Sequence, residues 1–179
     1  MAFEIELKAH IFSILSMQNT IQKQLGLHDP ISYIKEDTYF SKPETLKKTE
    51  FRLRNLGTSF IVTRKNKSQD EGIEVNNEIE FLVSDGAEFI RFSLDSGYVV
   101  SIKKTKSGVS YNYNGITIEL SDVNSLGSFI ELEILLDTSE PKQVATAKKQ
   151  LLEMLELLGI DRTAIEPRYY SEMLRTAKA

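Results

Sequence analysis

The chain has 179 residues, of which 41% are hydrophobic and 27% are charged, enough for one domain with a sizeable core. Its formal net charge of −4 argues against a dedicated nucleic-acid binder, and the absence of cysteine excludes disulfides, thiolate metal sites and cysteine nucleophiles. No segment has the pattern of a signal peptide or a membrane span, so we expect a cytoplasmic protein that forms a single domain over residues 1–179.

Alternating apolar and polar residues predict a chain that consists mainly of strands. The predicted strands lie near residues 3–9, 35–41, 49–56, 59–66, 72–83, 98–106, 108–114, 115–121 and 128–136. Helical spacing of apolar residues predicts helices near 12–25, 86–96, 141–158 and 167–176. Many antiparallel strands that each carry one charged face favour a closed barrel, because closure removes exposed strand edges.

Charged side chains recur at alternating positions on these strands, and many form pairs of the same sign. Seven acids and seven bases share this spacing: Glu4, Glu6, Glu78, Glu80, Glu119, Glu131 and Glu133, and Lys8, Arg52, Arg54, Lys65, Lys67, Lys104 and Lys106. A barrel lined in this way cannot be a packed apolar core, because buried charges must be paired or must bind something. Clustered bases suit a long polyanion and clustered carboxylates suit Mg²⁺ or Mn²⁺, so the residues point to a triphosphate with its metals.

Several sequence blocks, in order along nearly the whole chain, resemble the CYTH superfamily of triphosphate tunnel metalloenzymes. Glu4-x-Glu6-x-Lys8 is similar to the N-terminal ExExK signature of that family. The other similar blocks are Asp37-Thr38-Tyr39-Phe40, Arg52-x-Arg54, Thr63-x-Lys65, Lys104-Thr105-Lys106, the segment Leu126 to Glu133, and the segment Tyr169 to Leu174. The resemblance implies an α+β fold: a closed antiparallel β-barrel of about eight strands around a tunnel, with helices packed outside.

The resemblance also implies roles for most of these charged groups. The metal ligands would be Glu4, Glu6, Glu131 and Glu133, with Mg²⁺ or Mn²⁺ as the cofactor. Phosphate oxygens would contact Lys8, Arg52, Arg54, Lys65, Lys104 and Lys106. Glu78 and Glu80 would position those bases or a second metal. Because the family includes class IV adenylyl cyclases, thiamine triphosphatases and inorganic triphosphatases, the candidate substrates are ATP, thiamine triphosphate and inorganic triphosphate.

One position departs from the family pattern. Ser121 follows Leu120 where the family usually has an Asp that helps to bind metal. We expect the missing carboxylate to come from Glu119, on the same strand face as Ser121, or from Asp122 if a bulge turns it inward.

For catalysis, Lys8 or Lys65 with a lowered pKa would serve as general base; the favoured alternative is hydroxide activated by the metal.

The sequence leaves three functions open. A class IV adenylyl cyclase-like enzyme is slightly favoured, because the blocks at Asp37 and Leu126 look closest to that branch. The second is a hydrolase of inorganic or thiamine triphosphate. The third, which the departure at Ser121 leaves open, is a non-catalytic binder of polyphosphate or nucleotide.

The apolar stripe of the helix at 141–158 suits packing on the barrel exterior, or the docking of a partner subunit in a homodimer.

Overall fold

The computed structural model of the chain describes residues 2–70 and 72–177. It does not describe the side chains of Ala2 and Lys67, so the predicted inward position of Lys67 lies outside the described residues. Within those ranges, eight strands form one closed barrel in which every neighbouring pair is antiparallel. The α+β barrel that the sequence predicts is therefore confirmed.

The barrel is built from strands of very different length. They are β1 (Ala2–His10), β2 (Ile31–Ser41), β3 (Phe51–Asn55), β4 (Phe60–Asp70), β5 (Ile73–Val83), β6 (Val99–Tyr113), β7 (Ile116–Val123) and β8 (Gly127–Leu136). Around the barrel they follow the order β1-β5-β4-β3-β2-β6-β7-β8, and β8 pairs with β1 to close it.

Helices cover the outside and one end of the barrel. They are α1 (Ile14–Leu25), α2 (Gly86–Asp95), α3 (Pro141–Leu157) and α4 (Tyr170–Ala177), with short 3₁₀ turns at Pro43–Thr45 and Arg162–Ala164. Among the described residues, no helix has both the length and the apolar character needed to cross a bilayer.

Strand β6 runs without interruption through 15 residues. The sequence predicts two strands here, 98–106 and 108–114, and that prediction is wrong. Gly108 lies inside the strand because the backbone of β7 approaches it closely. A Cβ atom built on Gly108 would lie 1.9 Å from the carbonyl oxygen of Leu120. The glycine therefore marks a close approach of two backbones and not a turn.

The largest apolar core lies outside the barrel, between the sheet and helices α1 and α3. Leu7, Leu120 and Leu132 point outward from their strands and are fully buried in one cluster with Leu151 and Leu155 of α3. Because successive side chains on a strand point to opposite faces, burial of these residues directs the charged ones into the barrel. This inversion, with apolar residues outside and charged residues inside, creates the site.

Helix α4 packs against one end of the barrel interior. Its Tyr170 and Met173 form a buried cluster with Val123 on β7 and Phe129 on β8. Phe129 is two residues before Glu131 on the same strand, so both point inward. The C-terminal helix therefore forms part of the wall around the charged interior.

Candidate active site

The barrel interior holds a cavity of about 330 Å³ that is lined mainly by charged side chains. Every residue predicted as a site residue lines it: Glu4, Glu6, Lys8, Arg52, Arg54, Lys65, Glu78, Glu80, Lys104, Lys106, Glu119, Glu131 and Glu133. The structure adds further lining residues that the sequence reasoning did not select, among them Lys35, Glu74 and Tyr170. The alternation of side-chain direction along each strand, or strand parity, thus brings the predicted residues into one cavity, while their roles remain predictions.

The signs of these charges follow the order of the strands. The neighbouring strands β8, β1 and β5 supply most of the carboxylates. The neighbouring strands β3, β2 and β6 supply Arg52, Arg54, Lys35, Lys104 and Lys106. The cavity therefore has a carboxylate wall that faces a wall of ammonium and guanidinium groups.

The carboxylate wall is crowded enough to keep some of its acids protonated. Burial raises the pKa of Glu6 well above its usual value, and the charges of Glu4, Glu74 and Glu131 add to this effect. Burial, followed by the charge of Glu4, raises the pKa of Glu133 to about 8. A divalent cation would relieve this repulsion, and carboxylate oxygens are the ligands that Mg²⁺ and Mn²⁺ prefer. The donor chemistry therefore fits such a metal.

The described residues do not contain three acidic or histidine side chains already arranged around a single metal position. Lysines contact several of the carboxylates instead. Lys65 forms ion pairs with Glu4 and Glu78, and its ammonium lies 3.9 Å from Glu6. The carboxylates are thus candidate ligands that must exchange a lysine contact for a metal contact.

Lys65 does not have the lowered pKa that a general base requires. Burial favours its neutral amine, but the charges of Glu4, Glu6 and Glu78 outweigh burial and hold the pKa of Lys65 well above its usual value. The expectation of a lowered pKa at Lys65 is therefore wrong for the metal-free protein. A protonated Lys65 suits binding of phosphate and of carboxylate better than proton abstraction.

Asp37 on β2 joins three of the cations of the basic wall, a role that the sequence reasoning missed. Its fully buried carboxylate accepts two hydrogen bonds from Arg54, at 2.7 Å and 3.0 Å. The Lys104 ammonium lies 3.0 Å away and the Arg52 guanidinium 3.9 Å away. Burial alone would raise the pKa of Asp37, but Lys104 and the two arginines hold it well below its usual value. Asp37 therefore fixes the positions of these cations.

A second network joins the two walls near β7. The Lys106 ammonium lies 2.6 Å from Glu119 and 2.5 Å from Glu131, and Lys35 pairs with the other oxygen of Glu119. Burial would raise the pKa of Glu131, but Lys106 and Lys104 lower it, so Glu131 is ionised. Lys35 and Lys106 thus already neutralise Glu119 and Glu131, two of the acids that the sequence analysis predicts as metal ligands.

The structure separates the two candidates for the carboxylate missing at position 121. Strand β7 pairs with β6 and β8 in regular register, so no bulge turns Asp122 inward, and Asp122 is exposed on the outer face. The expectation that Asp122 could reach the tunnel is therefore wrong. Glu119 does line the cavity, and the buried Ser121 hydroxyl donates a hydrogen bond to Glu131 at 3.4 Å.

Tyr170 of α4 contacts both walls. Its hydroxyl donates a hydrogen bond to Glu131 at 2.7 Å. The ammonium groups of Lys8 and Lys104 lie 4.6 Å and 4.7 Å from the centre of its ring. Cations at this distance from an aromatic face are attracted to it. Tyr170 therefore helps to hold three predicted site residues, and it lies in the closing block that the sequence shares with the family.

Comparison with known proteins agrees with this geometry. The family model of the CYTH domain matches residues 2–170. A Methanocaldococcus jannaschii protein with the name "Putative adenylate cyclase MJ0240" is 27% identical over 95% of this chain and 97% of its own length.

Two solved structures show the same fold. The PH1012 protein from Pyrococcus horikoshii is 27% identical, with a TM-score of 0.80 over 94% of this chain and 98% of its own. A Hippeastrum protein, described as a putative adenylyl cyclase with a dominant triphosphatase activity, is 17% identical, with a TM-score of 0.69 over 100% of this chain and 97% of its own. At that identity the Hippeastrum structure supports the fold alone. Since the family model spans nearly the whole chain, the protein belongs to the CYTH domain family.

Proposed function

We propose that this protein is a metal-dependent enzyme that acts on a triphosphate chain bound inside the barrel. The observation that carries the proposal is the facing arrangement of a carboxylate wall and a cationic wall in one cavity. A polyphosphate needs cations around its non-bridging oxygens, and carboxylates next to it can hold the metal that shares its charge. A packed core or a solvated surface needs neither wall.

The basic wall would bind the phosphate chain. Arg52 and Arg54 can each present two parallel N–H donors to a phosphate, while Lys104 and Lys106 act as point charges. Asp37 holds Arg54 and Lys104 in place before the substrate arrives. Cations positioned in advance stabilise the charge that develops on the oxygens during phosphoryl transfer.

The carboxylate wall would hold Mg²⁺ or Mn²⁺ through Glu4, Glu6, Glu131 and Glu133. A bound metal ion supplies charge neutralisation at phosphate and lowers the pKa of a coordinated hydroxyl or water. Lys65, which is protonated and contacts Glu4, would keep this wall partly neutral and donate to a phosphate oxygen.

The first candidate reaction is adenylyl cyclisation. The ribose 3′-oxygen of ATP would form a bond to the α-phosphorus, the bond to the bridging oxygen would break, and pyrophosphate would leave. The displaced hydroxyl proton would pass to solvent. The name of the Methanocaldococcus jannaschii relative supports this candidate.

Triphosphate hydrolysis is the second candidate, and the composition of the cavity lining favours it. Charged side chains dominate the lining. Among the described residues, the large groups there that could recognise an organic group are Leu135 and the rings of Tyr39, Tyr169 and Tyr170. In this reaction a water oxygen would form a bond to the terminal phosphorus, and the bond from that phosphorus to its bridging oxygen would break. Orthophosphate would form, the diphosphate (inorganic, or thiamine diphosphate) would leave, and the proton of the water would pass to solvent. Inorganic triphosphate and thiamine triphosphate are the substrates to compare.

A product assay tests the proposal. The purified protein is incubated with Mg²⁺ or Mn²⁺ and, separately, with ATP, inorganic triphosphate and thiamine triphosphate, and the products are separated by ion-exchange chromatography. Cyclic AMP with pyrophosphate supports the cyclase, and orthophosphate released fastest from either of the other substrates supports the hydrolase. Absence of every product, with retained tripolyphosphate binding, would contradict catalysis and leave the non-catalytic binder.

Two neighbouring lysines provide a matched control for that assay. Lys104 lines the cavity, whereas Lys103 is exposed on the outer face of the same strand. We expect Lys104→Met to lower product formation at least about tenfold, the value of one lost charge-assisted contact. Lys103→Met should keep the activity of the unchanged protein.

A further inference from the structure

Two lysines face each other across the pairing of β2 and β6. Lys35 and Lys106 are register partners in this antiparallel pair, and both side chains line the cavity. Like charges directly opposite each other on neighbouring strands are destabilising. The carboxylate of Glu119, from β7, relieves the repulsion by contacting both ammonium groups, one through each oxygen.

In the metal-free protein the carboxylates of Glu119 and Glu131 balance the charges of Lys35 and Lys106. Lys106 also contacts Glu131, but Glu131 accepts further hydrogen bonds from Tyr170 and Ser121. If Glu131 holds a metal, as in the proposed function, Glu119 alone faces two ammonium groups. The side chains of Lys35 and Glu119 are only 16% and 15% exposed, so solvent screens the excess charge weakly.

Tyr33 completes the corner. The Lys35 ammonium lies 4.4 Å from the centre of the Tyr33 ring, a contact that holds the ammonium in place. The Tyr33 hydroxyl is buried, and the Glu119 carboxylate is the acceptor next to it. A buried hydroxyl that loses its acceptor is costly, and a phosphate oxygen would replace the Glu119 carboxylate as acceptor if that carboxylate moved away.

We propose that Lys35, Lys106 and Glu119 form a phosphate subsite in which Glu119 is an exchangeable counterion and not a metal ligand. Phosphate oxygens contact the two ammonium groups, and the Glu119 carboxylate moves away from them. The inference rests on the proposed function, to which it adds one phosphate position. It also replaces the expectation that Glu119 supplies the carboxylate missing at position 121.

Calorimetric titration with sodium tripolyphosphate in metal-free, EDTA-containing buffer tests the subsite. Lys35→Met should weaken binding about tenfold, because one charge-assisted contact is lost. Lys35→Arg should retain binding, since it keeps the charge. Glu119→Gln should bind tripolyphosphate more tightly than the unchanged protein, because the phosphate no longer competes with a carboxylate. Lys103→Met, on the outer face, should bind like the unchanged protein.

A second readout separates the counterion from a metal ligand. Electron paramagnetic resonance of Mn²⁺ measures metal binding without any turnover, and Glu119→Gln should leave the Mn²⁺ affinity unchanged. Weaker Mn²⁺ binding and weaker tripolyphosphate binding by Glu119→Gln would overturn the inference. Unchanged tripolyphosphate affinity in a folded Lys35→Met protein would overturn it as well. If the unchanged protein bound no tripolyphosphate, the proposed function itself would fail, and the subsite with it.

Discussion

Replacing Asp37 by asparagine perturbs the basic wall with little change of shape. The substitution removes the charge that Arg54 contacts at 2.7 Å and 3.0 Å and that Lys104 contacts at 3.0 Å. Loss of one partner from a buried ion pair costs about 3–5 kcal/mol, because the other charge stays buried without compensation. Arg54 retains 16% exposure of its side chain, so we expect the lower end, about 3 kcal/mol.

Thermal unfolding followed by circular dichroism measures this effect. For a chain of this size, about 3 kcal/mol corresponds to a fall of roughly 6–12 °C in Tm. Glu36→Gln is the matched control, because Glu36 is exposed on the opposite face of the same strand and accepts a hydrogen bond from Asn55. The control should change the free energy of unfolding by less than about 0.5 kcal/mol.

Added tripolyphosphate gives the Asp37→Asn experiment a second readout. Its negative charge can replace the missing carboxylate, so it should raise the Tm of Asp37→Asn more than that of the unchanged protein. Equal Tm values for Asp37→Asn and Glu36→Gln would refute the assignment of Asp37 as the counterion of the basic wall.

Three further predictions concern binding, pH dependence and folding. Arg52→Ala and Lys65→Ala should each weaken tripolyphosphate binding at least about tenfold. The control is Arg64→Ala, which should bind tripolyphosphate like the unchanged protein because Arg64 is exposed on the outer face. Unchanged affinity in both tunnel variants would remove the tunnel assignment. Because the pKa of Glu133 is raised to about 8, Mn²⁺ affinity should fall as the pH drops below 8, where the proton competes with the metal, and should level off above it. A flat profile between pH 6 and 9 in a calorimetric series would contradict this. Gly108→Ala should lower the free energy of unfolding by at least about 1–3 kcal/mol, because the new methyl group meets the backbone of β7. Urea denaturation measures this free energy. A stability equal to that of the unchanged protein would show that β6 and β7 separate easily.

The identity of the lining could be predicted because it follows from strand parity, whereas the closed barrel of about eight strands was expected from the number of antiparallel strands and from the resemblance to the CYTH family. Glu4, Glu6 and Lys8 alternate with Phe3, Ile5 and Leu7, so the direction of one side chain sets the direction of all the others on the strand. The same argument placed Glu119 in the cavity and Asp122 outside it, once the absence of a bulge was known.

Contacts between strands that are distant in sequence could not be predicted in the same way. Asp37 meets Arg54 and Lys104 only because β2 pairs with both β3 and β6, and register is not visible in a single strand. Lys35 did carry a signal, since it lies two residues before Asp37 and therefore shares its face.

The pKa of Lys65 was mispredicted for a related reason. Strand parity shows which side chains share the tunnel, but not which of them come within contact distance. A lysine among other bases would have a lowered pKa, whereas Lys65 on β4 lies against Glu4 and Glu78. The sign of the shift depends on these neighbours.

A crystal soaked with Mn²⁺ and inorganic tripolyphosphate, with anomalous diffraction measured at the manganese edge, tests the central claim most directly. The proposed function predicts an anomalous peak inside the barrel beside Glu4, Glu6, Glu131 and Glu133. It also predicts a phosphate chain between that peak and the Arg52–Arg54 side of the tunnel. Manganese and phosphate bound only on the outer surface, with the lysine–glutamate pairs of the tunnel unchanged, would contradict it.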